Sequence, residues 1–163
     1  MNQKTIFGEE KDKAFMQQAL KQARRAFDKG EVPVGAVIVD AQGAVIARAG
    51  NSVEKKHTQA AHAECLAITR AGGVLNDWRL QGCWIYVTLE PCAMCMNLIL
   101  MSRLSGVVFG AASPLFGYHL DTELSIALYK KGTFSVVSGV CEKESGELLK
   151  QFFKMKRNQK EVD

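Results

Sequence analysis

Between residues 10 and 29 apolar side chains recur every three to four positions. Phe15, Ala19, Ala23, Ala26 and Phe27 fall on one side, and Gly30 follows as a stop. This spacing predicts an amphipathic helix over 10–29. The pattern then shortens. Val34 to Val39 is a compact run rich in valine, Gln42-Gly43 is a turn signal, and Ala44 to Ala49 is apolar again, which predicts two strands joined by a turn. The polar stretch Asn51 to Ala60 reads as a loop. Helical spacing resumes over about Ala61 to Ala71, with Gly72-Gly73 as its expected end. Trp84 to Leu89 is β-branched and aromatic, hence a strand. Pro91 suits the first turn of a helix that reaches about Arg103. Val107 to Phe109 predicts a fourth strand, Gly110 to Gly117 a loop and Thr122 to Lys130 a helix. Phe134 to Val137 predicts a fifth strand and Glu142 to Arg157 a last helix. Strands alternating with helices imply a layered α/β sheet, at least partly parallel.

The length of 163 residues suits one domain. We expect a core over about 11–157 and flexible tails at 1–10 and 158–163. Internal repeats, low-complexity tracts and linkers are not evident. With 47% hydrophobic and 23% charged residues the composition is that of a globular protein. Apolar runs fall short of the roughly 18 residues that span a bilayer, so no membrane association is expected. Met1-Asn2-Gln3-Lys4 opens on polar residues rather than an apolar signal, which predicts a cytoplasmic protein. The net charge of +4 is a weak pointer to a polyanion. Its placement says more. Lys150, Lys154, Lys156, Arg157 and Lys160 surround Phe152 and Phe153 near the C-terminus. Such a mixture can bind phosphates and stack on bases. It can equally be a solvated amphipathic helix whose phenylalanines face the core.

The cysteine count is five, at 65, 83, 92, 95 and 141, and only Cys92 and Cys95 form a Cys-x-x-Cys. Without an export signal this favours metal or redox chemistry over disulfides. Cys65, Cys83 and Cys141 lie in apolar contexts and read as small core residues. Cys92 and Cys95 sit one turn apart at a predicted helix start, where unpaired N–H groups favour thiolates. His62 also falls near a helix start, and Glu64 follows two residues later. A lone Cys-x-x-Cys could be a redox pair or half a zinc finger, but a finger needs a second close pair. His57 and His119 lack that spacing. His62, Cys92 and Cys95 offer three zinc ligands, one short of a closed tetrahedron. Catalytic zinc sites leave that corner to water, and a nearby carboxylate such as Glu64 can move its proton.

His62-Ala63-Glu64 with Pro91-Cys92-x-x-Cys95 resembles the zinc-dependent cytidine deaminase superfamily. Glu31-Val32-Pro33-Val34-Gly35-Ala36-Val37, Asn51, Tyr86 to Cys92, Met101-Ser102-Arg103, Val107 to Ala111 and the ending Phe152 to Arg157 resemble bacterial tRNA adenosine deaminases. The resemblance spans about residues 11–157. It implies a three-layer α/β/α fold whose mixed sheet of about five strands is flanked by helices. It further implies hydrolytic conversion of the wobble adenosine of a tRNA anticodon to inosine. His62, Cys92 and Cys95 would bind one Zn²⁺ per subunit, and Glu64 would shuttle protons. Asn51 would hydrogen-bond the flipped nucleotide, and Val34, Gly35, Ala36 and Leu89 would wall the base. Phe153, Lys154, Lys156 and Arg157 would hold the anticodon loop. The family forms homodimers, and no organic cofactor is implied.

The chain departs from that pattern twice. The family's Asp-Pro-Thr-Ala before the zinc histidine is here Thr58-Gln59-Ala60-Ala61. An aspartate that contacts RNA is here Ser113, in the loop Ala112-Ser113-Pro114-Leu115-Phe116-Gly117. A neutral hydroxyl can still bond a ribose. These changes bear on substrate recognition, not on the metal. Deamination of a free base or nucleotide such as guanine or cytosine is therefore the alternative activity, and a non-enzymatic zinc-bearing binding module is a third reading.

Overall fold

The valine-rich run forms strand β1 (Gly35–Val39), and all five of its residues are buried. A strand hidden on both faces needs cover on both. The computed structural model, which describes residues 3–120 and 134–161, shows where that cover comes from. In chain order the elements are α1 (Glu9–Asp28), β1, β2 (Val45–Gly50), α2 (Val53–Lys56) and α3 (Ala63–Leu75). Then follow β3 (Trp84–Leu89), α4 (Ala93–Met101), β4 (Gly106–Ala111), β5 (Ser135–Ser138) and α5 (Glu142–Lys160). The helix expected over 122–130 lies outside the described residues.

The strands form one sheet in the order β2-β1-β3-β4-β5. β1 pairs antiparallel with both β2 and β3, whereas β3–β4 and β4–β5 are parallel. Side chains alternate across it. Ala36 and Ile38 join Ile85, Val87 and Val107 against Ala67, Ile68 and Ala71 of α3 and Met96 and Ile99 of α4. Val37, Val39, Tyr86 and Val108 face the other way, onto Phe15, Met16, Ala19 and Leu20 of α1. The last helix shares that side: Phe152 packs edge-on to Phe27 with ring centroids 5.5 Å apart. The expected three layers and mixed five-stranded sheet are present.

Close approach of α1 to the sheet depends on glycine. A Cβ on Gly35 would stand 2.0 Å from the Ala19 carbonyl oxygen, so only hydrogen fits. Tyr86 ties the same helix to the sheet, its Oη donating to Asp12 Oδ1 at 2.6 Å.

Several boundaries differ from the sequence expectation. α3 runs through Gly72-Gly73 and ends at Asn76, which adopts the left-handed conformation and returns its N–H to the Gly72 carbonyl. The helix survives because Ala67, Ile68 and Ala71 hold its buried face. Part of the polar stretch read as a loop is the short helix α2. Its N–H groups at Glu54 and Lys55 donate to the buried Glu31 carboxylate at 3.1 and 2.8 Å. α4 starts at Ala93, with Pro91 outside and Cys92 capping. α5 continues past Arg157 to Lys160. Near the other end Phe7 packs edge-on to Phe15 and Trp84.

The topology gathers several strand ends at one edge. β1 begins and β2 finishes where β3 finishes, because Gly35 pairs with Gly50 and Ala36 with Val87. β4 finishes beside β3, with Leu89 opposite Ala111. Val34, Asn51, the segment 90–92 and the loop after Ala111 therefore share one end of the sheet. The starts of α3 and α4 lie there too, as ligand sites in α/β sheets do.

Candidate active site

His62 caps α3 and Cys92 caps α4. Each helix thus delivers a donor at its cap, and Cys95 follows one turn into α4. The ligand atoms of His62, Cys92 and Cys95 all lie within 4.8 Å of one another. His62 Nδ1 is 3.4 Å from Cys95 Sγ and 3.8 Å from Cys92 Sγ. On the far side of the ring, Nε2 stands 2.9 Å from Gln59 Oε1. A glutamine carbonyl can only accept, so Nε2 carries a proton toward Gln59, and Nδ1 is the ring nitrogen that faces the two sulfurs and would meet a metal.

The electrostatics point the same way. The Cys92 thiol falls to about 4, chiefly because Cys95 hydrogen-bonds to its thiolate and His62 adds a second bond. The Cys95 thiol is pushed up, since Cys65 and Cys92 both draw on its hydrogen and Glu64 and Cys92 surround it with negative charge. Burial raises Glu64, which is 4% exposed. His62 is raised by its bond to Cys92, against its own burial. Three acidic groups thus converge with a single imidazole to oppose them. A divalent cation removes that conflict, and two thiolates with one imidazole suit zinc. Among the described residues these three meet as metal donors, a set that fits a metal ion with one position left open.

Beside the cluster lies a cavity of about 540 Å³, within the range that holds a small ligand. Its walls include Val34, Asn51, His62, Glu64, Leu89, Glu90, Cys92, Met94, Ser113 and Phe116. Asn51 is buried, and its Nδ2 donates to the Val32 carbonyl at 3.3 Å. Its Oδ1 has no hydrogen-bond partner among the described residues. An orphan buried acceptor is costly, and this one belongs to a cavity-lining residue. Of the residues named for the base pocket, Val34, Asn51, Leu89 and Ser113 line the cavity. Gly35 and Ala36 are not among its lining residues: Gly35 abuts α1 and Ala36 packs in the core on the α3 side.

The basic tail splits between the two readings offered for it. Phe152 is buried, while Phe153 is 46% exposed on the outer surface of α5. Lys154 and Arg157 are exposed. Lys156 lies over the Phe152 ring at 5.6 Å and close to Gly30, one residue before the cavity-lining Glu31. The helix end therefore sits near the cavity without lining it.

Three contributors were not legible in the sequence. Glu90, 4% exposed, accepts from the Ser113 N–H at 2.9 Å and the His119 N–H at 3.2 Å. Its second contact to His119, at Nδ1, is 2.5 Å. Gln59 orients the metal-facing histidine. Cys65, read as a core residue, is buried but places its sulfur 3.9 Å from Cys95 Sγ. The only signal for Glu90 was a carboxylate set between an apolar strand and a helix start.

A mixed sheet that carries three metal donors at two helix starts with a buried carboxylate beside them makes a site for metal-assisted hydrolysis. The model of the cytidine and deoxycytidylate deaminase zinc-binding region matches residues 9–111. The tRNA-specific adenosine deaminase of Bacillus subtilis (strain 168) is 43% identical over 153 residues, covering 93% of this chain and 94% of its own. The chain belongs to the tRNA-specific adenosine deaminases of that family. The enzyme of the same description from Aquifex aeolicus (strain VF5) is 42% identical over 149 residues, covering 88% and 95%. A solved structure from work on A-to-I editing by tRNA:A34 deaminases at the wobble position of transfer RNA superposes with a TM-score of 0.74 at 38% identity, covering 83% of this chain and 99% of that one. A guanine deaminase from Nitrosomonas europaea superposes with a TM-score of 0.76 at 24% identity, covering 86% of this chain and 83% of its own, and shares the fold.

Proposed function

We propose that this protein deaminates the wobble adenosine of a tRNA anticodon to inosine by hydrolysis. The observation that carries the reading is the conjunction at one cavity of His62, Cys92 and Cys95, the buried Glu64 and the orphan Asn51 Oδ1. The relatives supply the substrate: they are tRNA adenosine deaminases at 42 to 43% identity over most of the chain.

His62, Cys92 and Cys95 would hold the zinc, which supplies Lewis-acid activation of water at neutral pH. Glu64 moves the protons. Its burial makes the carboxyl hold a proton more readily, which suits a group that takes one from the attacking water and passes it to the purine and the departing amine. Asn51 Oδ1 accepts a hydrogen bond from the extruded nucleotide. Val34 and Leu89 close on the base and exclude bulk water. Phe153, Lys154, Lys156 and Arg157 meet the anticodon loop from the end of α5. The balance is adenosine plus water giving inosine plus ammonia.

The chain acts as a homodimer in this reading. Val74, Leu75, Trp78 and Met101 leave large apolar surface at the ends of α3 and α4, with exposures of 62, 42, 56 and 53%. Sedimentation at micromolar concentration should give twice the 17.9 kDa monomer mass; a monomer would remove this part. A tRNA substrate supports the cytoplasm as its compartment in this reading. Among the described residues, no helix is long and apolar enough to cross a membrane.

The test is incubation of zinc-loaded protein with anticodon stem-loops bearing a wobble adenosine, followed by sequencing. Inosine is expected, and only from the adenosine substrate. Zinc-loaded protein that leaves the adenosine intact contradicts the proposal.

A further inference from the structure

The loop that departs from the family pattern carries an aromatic residue the activity above does not use. Phe116 lines the cavity that holds Asn51, His62 and Glu64, yet it is 76% exposed. An aromatic ring that borders the cavity yet stands mostly in water is either an accident of a loose loop or a contact surface. The bonds around it favour the second. Gly117 N–H bonds the Ser113 carbonyl at 3.0 Å, and Tyr118 N–H bonds the Pro91 carbonyl at 2.9 Å. Glu90, buried beneath, holds Ser113 on one flank of Phe116 and His119 on the other. A Cβ on Gly117 would stand 2.5 Å from the Glu90 carboxyl carbon, so the loop sits directly on that carboxylate. Phe116 is therefore presented from a fixed turn, at the rim of the cavity, beside the segment that opens α4.

We propose that Phe116 is a substrate-binding residue: its ring stacks on the nucleotide next to the extruded adenosine, and Glu90 is the positioning residue that holds its loop in place. The inference rests on the RNA reading above. Splayed single-stranded bases are recognised by stacking on aromatic side chains. A ring carried on a backbone already held in place stacks at a smaller cost of ordering on binding. Stacking is indifferent to charge, so this contact is separate from the phosphate contacts of Lys154, Lys156 and Arg157.

The experiment uses zinc-loaded full-length protein and anticodon stem-loops carrying 2-aminopurine on either side of the wobble adenosine. Stacking on protein changes the fluorescence of that base on binding. Wild type should change it at one of the two positions. Phe116→Ala should abolish the change and raise KM about tenfold, in the range of one stacked base, with kcat falling much less. Phe116→Trp should restore both. Gly117→Ala, which pushes the loop off Glu90 while keeping the ring, should resemble Phe116→Ala. Zinc content and thermal midpoint should match wild type in the Phe116 variants, because the ring is largely exposed. Unchanged KM and fluorescence in Phe116→Ala, or equal impairment in Phe116→Trp, overturns the inference. If wild type converts no stem-loop adenosine at all, the failure lies with the RNA reading instead.

Discussion

Residue identity carries the chemistry here, and its limits are set by what a side chain touches rather than by what it is. His62, Cys92 and Cys95 were legible because ligand type and spacing constrain a metal site directly. Glu64 was legible because a carboxylate near such ligands has a limited choice of roles. Glu64→Ala should lower turnover by roughly 10² to 10⁴ while metal analysis still finds zinc. Cys92→Ala should lose the zinc itself. A Glu64→Ala enzyme with normal turnover would remove its assignment as proton carrier. Gln59 was visible only as a departure from the family pattern. The structure gives it a partner, since its Oε1 meets His62 Nε2 at 2.9 Å. Gln59→Ala should weaken zinc binding by about tenfold or more, measured by competition with a chelator; unchanged affinity would reduce the contact to coincidence. Glu31 and Glu90 stayed hidden because both act on distant N–H groups, at Glu54 and Lys55 and at Ser113 and His119. No local pattern announces such a partner.

At the scale of elements the same division holds. Where the apolar pattern is unbroken, as a periodic face in α1 and a continuous run in β3, the sequence predicted the element to within a residue or two. Where an element is made by a remote group, it did not. α2 has no apolar face of its own, and its start is held by Glu31. α3 passes two glycines that locally favour a stop, because its tertiary face outweighs a cost of about 1 kcal/mol per glycine. α5 shows how one helix satisfied two readings: Phe152 anchors it on Phe27, and the exposed Phe153, Lys154 and Arg157 remain available. If those cations meet phosphates, replacing Lys154, Lys156 and Arg157 by alanine should weaken stem-loop binding and flatten its salt dependence. The slope of log K against log salt should fall by about 0.7 to 0.9 for each phosphate no longer neutralised. Anisotropy titrations between low and moderate salt decide this. An unchanged slope would return the helix end to the role of a solvated face.

For the whole molecule, alternation of strands and helices foretold the layers, but pairing order could not be read from the chain. The antiparallel β1–β3 pairing sets the start of β1 beside the end of β3, and it is what brings Val34 and Asn51 to the metal cluster. The core also imposes a pH limit. Tyr86 is raised above its ordinary value by burial first and then by its bond to Asp12. The folded state therefore holds this proton more tightly than the unfolded chain. Its stabilising contribution is complete below the unfolded value near 10 and is lost as pH rises beyond it. Urea unfolding should show stability declining above about pH 10. Tyr86→Phe should make that decline shallower while costing about 1 kcal/mol at neutral pH; an identical decline in the variant would exclude Tyr86 as its source. The most direct test of the central claim is ammonia release by one zinc-loaded preparation, offered the wobble-adenosine stem-loop and free guanine and cytosine in parallel. One ammonia per inosine is expected from the stem-loop and none from the free bases. Ammonia from a free base with an untouched stem-loop would contradict the claim.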